Sequence, residues 1–113
     1  MTGPQERRKF ERVAIPESSG VFAADARGKR AGTVKMLGRG GMHLDTTRRW
    51  PVGAKRLLVI TDEREGIRRR VHTVVRYAGS TGVGLEFEKL TSEAAVEIGV
   101  IIGRYYTQPG GPS

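Results

Sequence analysis

The feature that most constrains the fold is a series of short segments in which apolar and polar residues tend to alternate. These segments occupy residues 21–26, 31–37, 42–45, 55–61, 67–78 and 83–88, and the chain contains 16 glycines, several of them between the segments. A period of two is the pattern of a strand with one buried face. Short strands separated by glycine turns are typical of a small antiparallel barrel or sandwich. The sequence therefore predicts a mostly β fold.

The last part of the sequence has a different period and predicts a C-terminal helix over residues 91–106. Thr91 is suited to cap the helix, and Glu93 in the first turn is favourable at the positive end of the helix dipole. Apolar residues recur at helical spacing at Ala94, Ile98, Ile101 and Tyr105. Gly99 and Gly103 each cost roughly 1 kcal/mol relative to alanine, and indicate either close packing on the barrel or a bend.

Length and polarity indicate one domain that does not insert into a membrane. We expect residues 1–5 to be a disordered lead, residues 6–106 to form the domain and residues 107–113 to be a flexible tail. The first residues are too polar for a secretory signal, and the longest apolar runs are too short to span a bilayer. The absence of cysteine excludes disulfides and thiolate sites and fits a cytoplasmic location.

The charge balance favours an anionic ligand. Twenty Lys and Arg residues oppose twelve Asp and Glu residues, which gives a formal net charge of +8. Such a surface attracts phosphate groups. Most of the basic residues are arginines, whose planar fork of donors can grip a phosphate in two places.

No motif in the sequence supports an enzyme, a metal site or a bound cofactor. Ser18, Ser19 and Ser80 lack a triad-like context, and no Walker or Rossmann glycine fingerprint is present. His43 and His72 lie on predicted strands without a carboxylate at ligand-like spacing. The chain is therefore expected to be a binding protein rather than a catalyst.

A basic arm at residues 6–12, about six strands and a terminal helix follow one another in the order of the PilZ domain, which this chain resembles over about residues 6–106. The PilZ domain is a bacterial receptor module for cyclic di-GMP. The resemblance implies a six-stranded antiparallel split β-barrel with a C-terminal α-helix.

Two motifs carry the resemblance. The family's Arg-x-x-x-Arg arm is matched by Arg8 and Arg12, and the preceding Arg7 gives the doubled-arginine form associated with two stacked copies of the nucleotide. The second motif, Asp/Asn-x-Ser-x-x-Gly, aligns with residues 36–41. Gly41 matches its final glycine, whereas Met36 replaces the acidic or amide residue and Gly38 replaces the serine.

The residues of these motifs differ in what they can offer the nucleotide. Arginine can bind a phosphate or the O6 and N7 atoms of guanine, but Met36 cannot accept the guanine N1–H and N2–H bonds, and Gly38 has only its backbone N–H. At about 1 kcal/mol per lost hydrogen bond or more, these replacements could weaken binding by roughly one to three orders of magnitude. Arg39 is either a substitute phosphate contact or an exposed turn residue. The candidate ligand-binding residues are Arg7, Arg8, Arg12, Gly38, Arg39 and Gly41.

The glycines of residues 38–41 allow two interpretations: a nest of backbone N–H groups that binds an anion, or a tight hairpin with positive φ.

Three functional hypotheses remain open at the level of sequence. The first is a stand-alone signalling adaptor that binds cyclic di-GMP through the arm and the glycine-rich turn and acts on a protein partner in trans. The second is a degenerate PilZ protein without the ligand, which serves as an interaction module in motility or pilus control. The third is a small basic nucleic-acid-binding barrel. Only seven aromatic residues are present, and they do not interleave with arginine as stacking platforms do, so no specific nucleic-acid partner is expected.

Overall fold

The computed structural model describes residues 12–106. The strands are β1 (Val13–Ala14), β2 (Val21–Ala24), β3 (Arg30–Leu37), β4 (Gly41–Asp45), β5 (Lys55–Asp62), β6 (Ile67–Ala78) and β7 (Gly82–Glu88). The helix α1 (Ser92–Tyr105) follows them, and a short 3₁₀ turn at Glu17–Ser19 precedes β2.

Strands β2 to β7 close into a six-stranded antiparallel barrel in the order β3, β2, β5, β6, β7, β4, and β4 pairs back onto β3. This confirms the predicted fold class. The short β1, which was not predicted, lies beside the end of β3, where Val13 is opposite Leu37 and Ala14 is opposite Met36. Two residues are too few to show a period of two in the sequence. This strand is therefore defined by its hydrogen-bonded pairing with β3.

Side chains of alternating strand positions fill the barrel interior. On β6, Val71 and Val75 are buried and Arg68 and Arg70 are exposed, as the alternation predicts. Strict alternation along residues 67–78 predicts that Val74 lies on the exposed face with Arg68 and Arg70, but its side chain is buried and only 5% exposed. It lies between Lys55 and Glu86 on the neighbouring strands, and the long side chains of these residues flank it.

The helix begins and packs as predicted. The Thr91 hydroxyl accepts a hydrogen bond from the Ala94 N–H at 3.1 Å. The buried face of α1 consists of Ala94, Ile98, Ile101 and Ile102, with Tyr105 partly buried against the same core. Ion pairs of Arg69 with Glu97 and of Arg104 with Glu65 connect the helix to β6 and to the β5–β6 hairpin.

The two helix glycines are not sites of close packing on the barrel. An added Cβ would meet nothing within 4 Å at Gly103, and at Gly99 it would meet only the guanidinium nitrogens of Arg39, the nearest at 3.6 Å. Of the two interpretations of these glycines, close packing on the barrel is therefore wrong, because the opposite face of the helix contacts the barrel. No helix in residues 12–106 has the length and apolar character needed to cross a bilayer.

Candidate ligand-binding groove

An open groove of about 600 Å³ lies on the outer surface of the barrel, beside the turn that joins β3 to β4. We call it the groove. The end of β3, the 38–40 turn and β4 form one side, and β7 and the end of β6 form the other.

The groove brings together four of the six residues predicted to bind ligand. Arg12, Gly38, Arg39 and Gly41 all line it, although Arg12 and Gly41 are 29 positions apart in sequence. Residue 12 directly precedes β1, and the pairing of β1 with β3 places it beside the glycine-rich turn. Arg7 and Arg8 lie outside the described residues. The arm motif, through Arg12, and the end of the second motif, at residues 38–41, therefore lie next to each other in the groove.

Hydrogen bonding within the turn limits what its glycines can offer. The Gly38 N–H donates to the Gly41 carbonyl at 2.9 Å, and the Gly40 carbonyl accepts from the Phe87 N–H at 2.8 Å. Gly38 is also buried. Its backbone donor is therefore satisfied within the hairpin, and the nest interpretation loses one of its N–H groups.

The hairpin interpretation also needs correction, because these glycines do not adopt positive φ. Within residues 12–106 positive φ occurs at Gly20, Gly28, Gly53, Gly66 and Lys89. Gly41 is instead required by close approach of strands, since a Cβ there would lie 2.1 Å from the Leu85 carbonyl oxygen. Gly41 thus allows β4 to pair tightly with β7, which shapes the floor of the groove.

The two replaced positions of the second motif differ in exposure, since Met36 is exposed and Gly38 is buried. Met36 is 41% exposed and follows an irregularity in the pairing of β3 with β4. A carboxylate at position 36 would therefore not be buried, and a side chain at position 38 would not be strained by a left-handed backbone.

The sequence did not predict that His43 and Tyr77 contact each other in the groove. His43 Nδ1 lies 3.1 Å from the Tyr77 hydroxyl oxygen, and the two rings stack with centroids 5.8 Å apart at an angle of 27°. Tyr77 lies over Gly84, where an added Cβ would be 2.0 Å from the ring. The only local signal was a glycine in the middle of an alternating strand, which indicates close approach by another group.

The groove is positively charged. Three arginines, Arg12, Arg39 and Arg76, and one carboxylate, Glu86, occur among its described lining residues, so the formal sum is +3 − 1 = +2. Arg76 forms an ion pair with Glu86 across β6 and β7. Arg39 is exposed, and its guanidinium group extends toward Gly99 of α1.

Groups with displaced pKa values lie away from the groove and have structural roles. The pKa of Asp25 is lowered, mainly because its carboxylate accepts the Lys29 N–H in the β2–β3 turn, with further contributions from the Arg27 N–H and from Arg48. The pKa of Arg69 is raised by its hydrogen bond and ion pair with Glu97. Neither group provides acid or base chemistry to the groove.

A second depression between the β4–β5 loop and the β6–β7 hairpin contains none of the predicted residues. Arg48, which lines this depression, forms an ion pair with Asp25, with a nitrogen–oxygen distance of 3.2 Å. Within residues 12–106, no group of three or more His, Asp and Glu side chains is placed to hold a metal ion.

Comparison with known proteins agrees with the architecture. No curated protein shows a significant match to the chain. A family model for the PilZ domain matches residues 6–104, which is most of the chain and includes the arm, the whole barrel and nearly all of α1. The chain therefore belongs to the PilZ domain family.

Proposed function

We propose that this protein is a signalling adaptor that binds cyclic di-GMP in the groove and acts on a protein partner in trans. The observation that carries the proposal is the convergence of Arg12 with Arg39 and Gly41 on one positively charged surface. PilZ domains are cyclic di-GMP-binding modules, so the family supports the same ligand.

The chemistry of the groove suits a ligand with two phosphates and two guanines. Arg12 and Arg39 are exposed guanidinium groups that can bind phosphate through charge-assisted, two-point hydrogen bonds. Arg8 precedes Arg12 by four residues, which span at most about 14 Å when extended. A ligand that contacts Arg12 is therefore within reach of Arg7 and Arg8.

The helix beside the groove supports the second part of the proposal. Val96 and Val100 of α1 are 65% and 45% exposed, and Gly99 lies between them beside the Arg39 guanidinium. A ligand that draws Arg39 toward the groove would alter the surface next to these apolar side chains. This gives ligand binding a route to a surface that a protein partner can contact.

Calorimetric titration of the full chain with cyclic di-GMP tests the binding half of the proposal. We expect saturable binding that Arg12→Ala weakens by about tenfold or more, because a charged hydrogen-bonding group contributes roughly 1.5–3 kcal/mol. Arg27→Ala is the matched control, since it removes the same charge from the β2–β3 turn, away from the groove. Equal losses in both variants would indicate general charge attraction and would contradict a specific site.

The degenerate interaction module is the alternative, and one observation favours it. Met36 and Gly38 bring no polar side chain to the groove, and the Gly38 N–H is already bonded within the hairpin. The double variant Met36→Asp with Gly38→Ser distinguishes the two hypotheses, with folding checked by circular dichroism. A gain in affinity of about tenfold or more, equivalent to 1.4 kcal/mol, would support a retained site. If neither the folded double variant nor the wild type binds the nucleotide, the result would favour the interaction module.

A further inference from the structure

A continuous row of outward-facing positions crosses the floor of the groove. The strand registers place Ala14 opposite Met36, Met36 opposite His43, His43 opposite Gly84, and Gly84 opposite Tyr77. Directly opposite residues share one face of a sheet and are close enough for their side chains to interact. The row therefore brings residues from five strands onto one surface, and all of them except Gly84 carry a side chain there.

Three members of this row, Met36, His43 and Tyr77, form a surface that we call the platform. The Tyr77 and His43 rings are inclined by only 27° and are joined through the tyrosine hydroxyl and His43 Nδ1. Tyr77 is 55% exposed and Met36 is 41% exposed. Aromatic rings and the polarisable thioether of methionine are favourable partners for a flat π system.

The fit of Tyr77 over Gly84 has a purely structural explanation, which accounts for only part of the arrangement. An aromatic ring that covers a strand glycine stabilises a barrel. That role explains the contact of Tyr77 with Gly84. It does not explain why the exposed part of the ring lines a groove shared with Met36 and three arginines.

Among residues 12–106, the groups around the platform include arginines that can bind phosphate and one carboxylate, which is in an ion pair. Arg12 and Arg39 line the same groove as the platform. Glu86 is the one carboxylate among the described lining residues, and its Oε1 atom is occupied by Arg76. The carboxylate or amide that would read the Watson–Crick edge of guanine is replaced by Met36, which contributes to the platform instead.

We propose that the platform holds a nucleobase by its face, so that this site accepts cyclic dinucleotides of guanine and of adenine with similar affinity. The inference rests on the proposed function of the groove as a cyclic dinucleotide site. Stacking is tolerant of base identity because every base has a π face. Discrimination between bases arises when donors or acceptors at the base edge are paired in one ligand and unpaired in the other. With Met36 in place of the acceptor, that distinction is lost.

Calorimetric titrations of the full chain with cyclic di-GMP and with cyclic di-AMP test this inference. We expect the two dissociation constants to agree within tenfold. Tyr77→Ala should weaken both ligands by at least tenfold, whereas Tyr77→Phe should stay within about threefold of wild type because the ring is retained. Tyr106→Ala is the matched control, since it removes a partly exposed tyrosine that does not line the groove.

A second variant keeps the test decisive if removal of the ring over Gly84 impairs folding. Met36→Asp at its exposed position should shift the ratio of affinities at least tenfold toward cyclic di-GMP. A wild type that prefers cyclic di-GMP by more than tenfold would overturn the inference and leave the proposed function intact. Equal binding of both ligands with no loss in folded Tyr77→Ala would also overturn it. Failure to bind either ligand would overturn both proposals.

Discussion

At the scale of single residues, two neighbouring glycines of the groove turn look alike in the sequence but have different surroundings. Gly41 lies within β4, and an added Cβ would be 2.1 Å from the Leu85 carbonyl oxygen of β7. At Gly40 an added Cβ would meet nothing within 4 Å. The family motif requires a glycine at position 41, and the structure gives the requirement a steric cause.

This difference predicts opposite effects of the same substitution. Gly41→Ala should lower the free energy of unfolding by about 1–3 kcal/mol or more, because the strands must separate to admit the methyl group. Gly40→Ala should leave it unchanged or raise it by up to about 1 kcal/mol, since alanine restricts the unfolded chain. Urea denaturation followed by circular dichroism measures both. Equal midpoints for the two variants would show that β4 and β7 can move apart at no cost.

The same scale shows why part of the site could be predicted and part could not. Arg12 and Gly41 belong to linear motifs, whose spacing can be read without a fold. His43 and Tyr77 meet only because β7 pairs with both of their strands, at Gly84 in each case. An irregularity between Val75 and Tyr77 shifts that register by one residue, and no local sequence pattern predicts this shift.

At the scale of secondary-structure elements, the helix shows what periodicity can and cannot predict. The spacing of apolar residues identified the buried face of α1, and Thr91 identified its start. The role of Gly99 and Gly103 was not predictable, because a glycine in a helix looks the same whether it faces the barrel or the solvent. Both glycines face away from the core, and Gly103 is exposed. The strands followed the same rule: long alternating segments were predicted, and the two-residue β1 was not.

Replacement of the exposed Gly103, near the end of α1, is expected to stabilise the protein. Gly103→Ala should raise the free energy of unfolding by about 1 kcal/mol, because alanine has the better helix propensity and meets no neighbour within 4 Å. Thermal and urea denaturation measure the change. Tyr105→Ala, two residues after Gly103 but packed against the core, should instead destabilise. An unchanged midpoint in Gly103→Ala would indicate that the last turn frays in solution.

At the scale of the whole molecule, the exposed arginines of residues 12–106 do not all line the groove. Arg12, Arg39 and Arg76 line the groove. Exposed Arg68 and Arg70 project from β6, opposite Thr61 and Val59 of β5, on a part of the barrel outside the groove. Among residues 12–106, these five arginines are therefore not gathered in the groove alone.

This division predicts weak, salt-sensitive binding to nucleic acid. With about three phosphate contacts and a slope near −0.7 for each on single strands, affinity should fall roughly twentyfold between 50 and 200 mM salt. Fluorescence anisotropy of a labelled single-stranded oligonucleotide measures the slope. Tight binding that persists at 150 mM salt would contradict the adaptor and favour a nucleic-acid-binding barrel.

Under the proposed function, the pairing of β1 with β3 has a consequence for the entropy of ligand binding. It fixes the chain at Ala14 beside Met36, two residues after Arg12, at the rim of the groove. Covalent reach then confines Arg7 and Arg8 to within about 17 Å of Arg12, whatever their conformation. Over the half-sphere open to solvent, this confinement corresponds to an effective concentration on the order of 100 mM. A guanidinium group with only millimolar intrinsic affinity for phosphate would be almost fully bound at that concentration. A two-residue strand can therefore raise the occupancy of phosphate contacts that are individually weak.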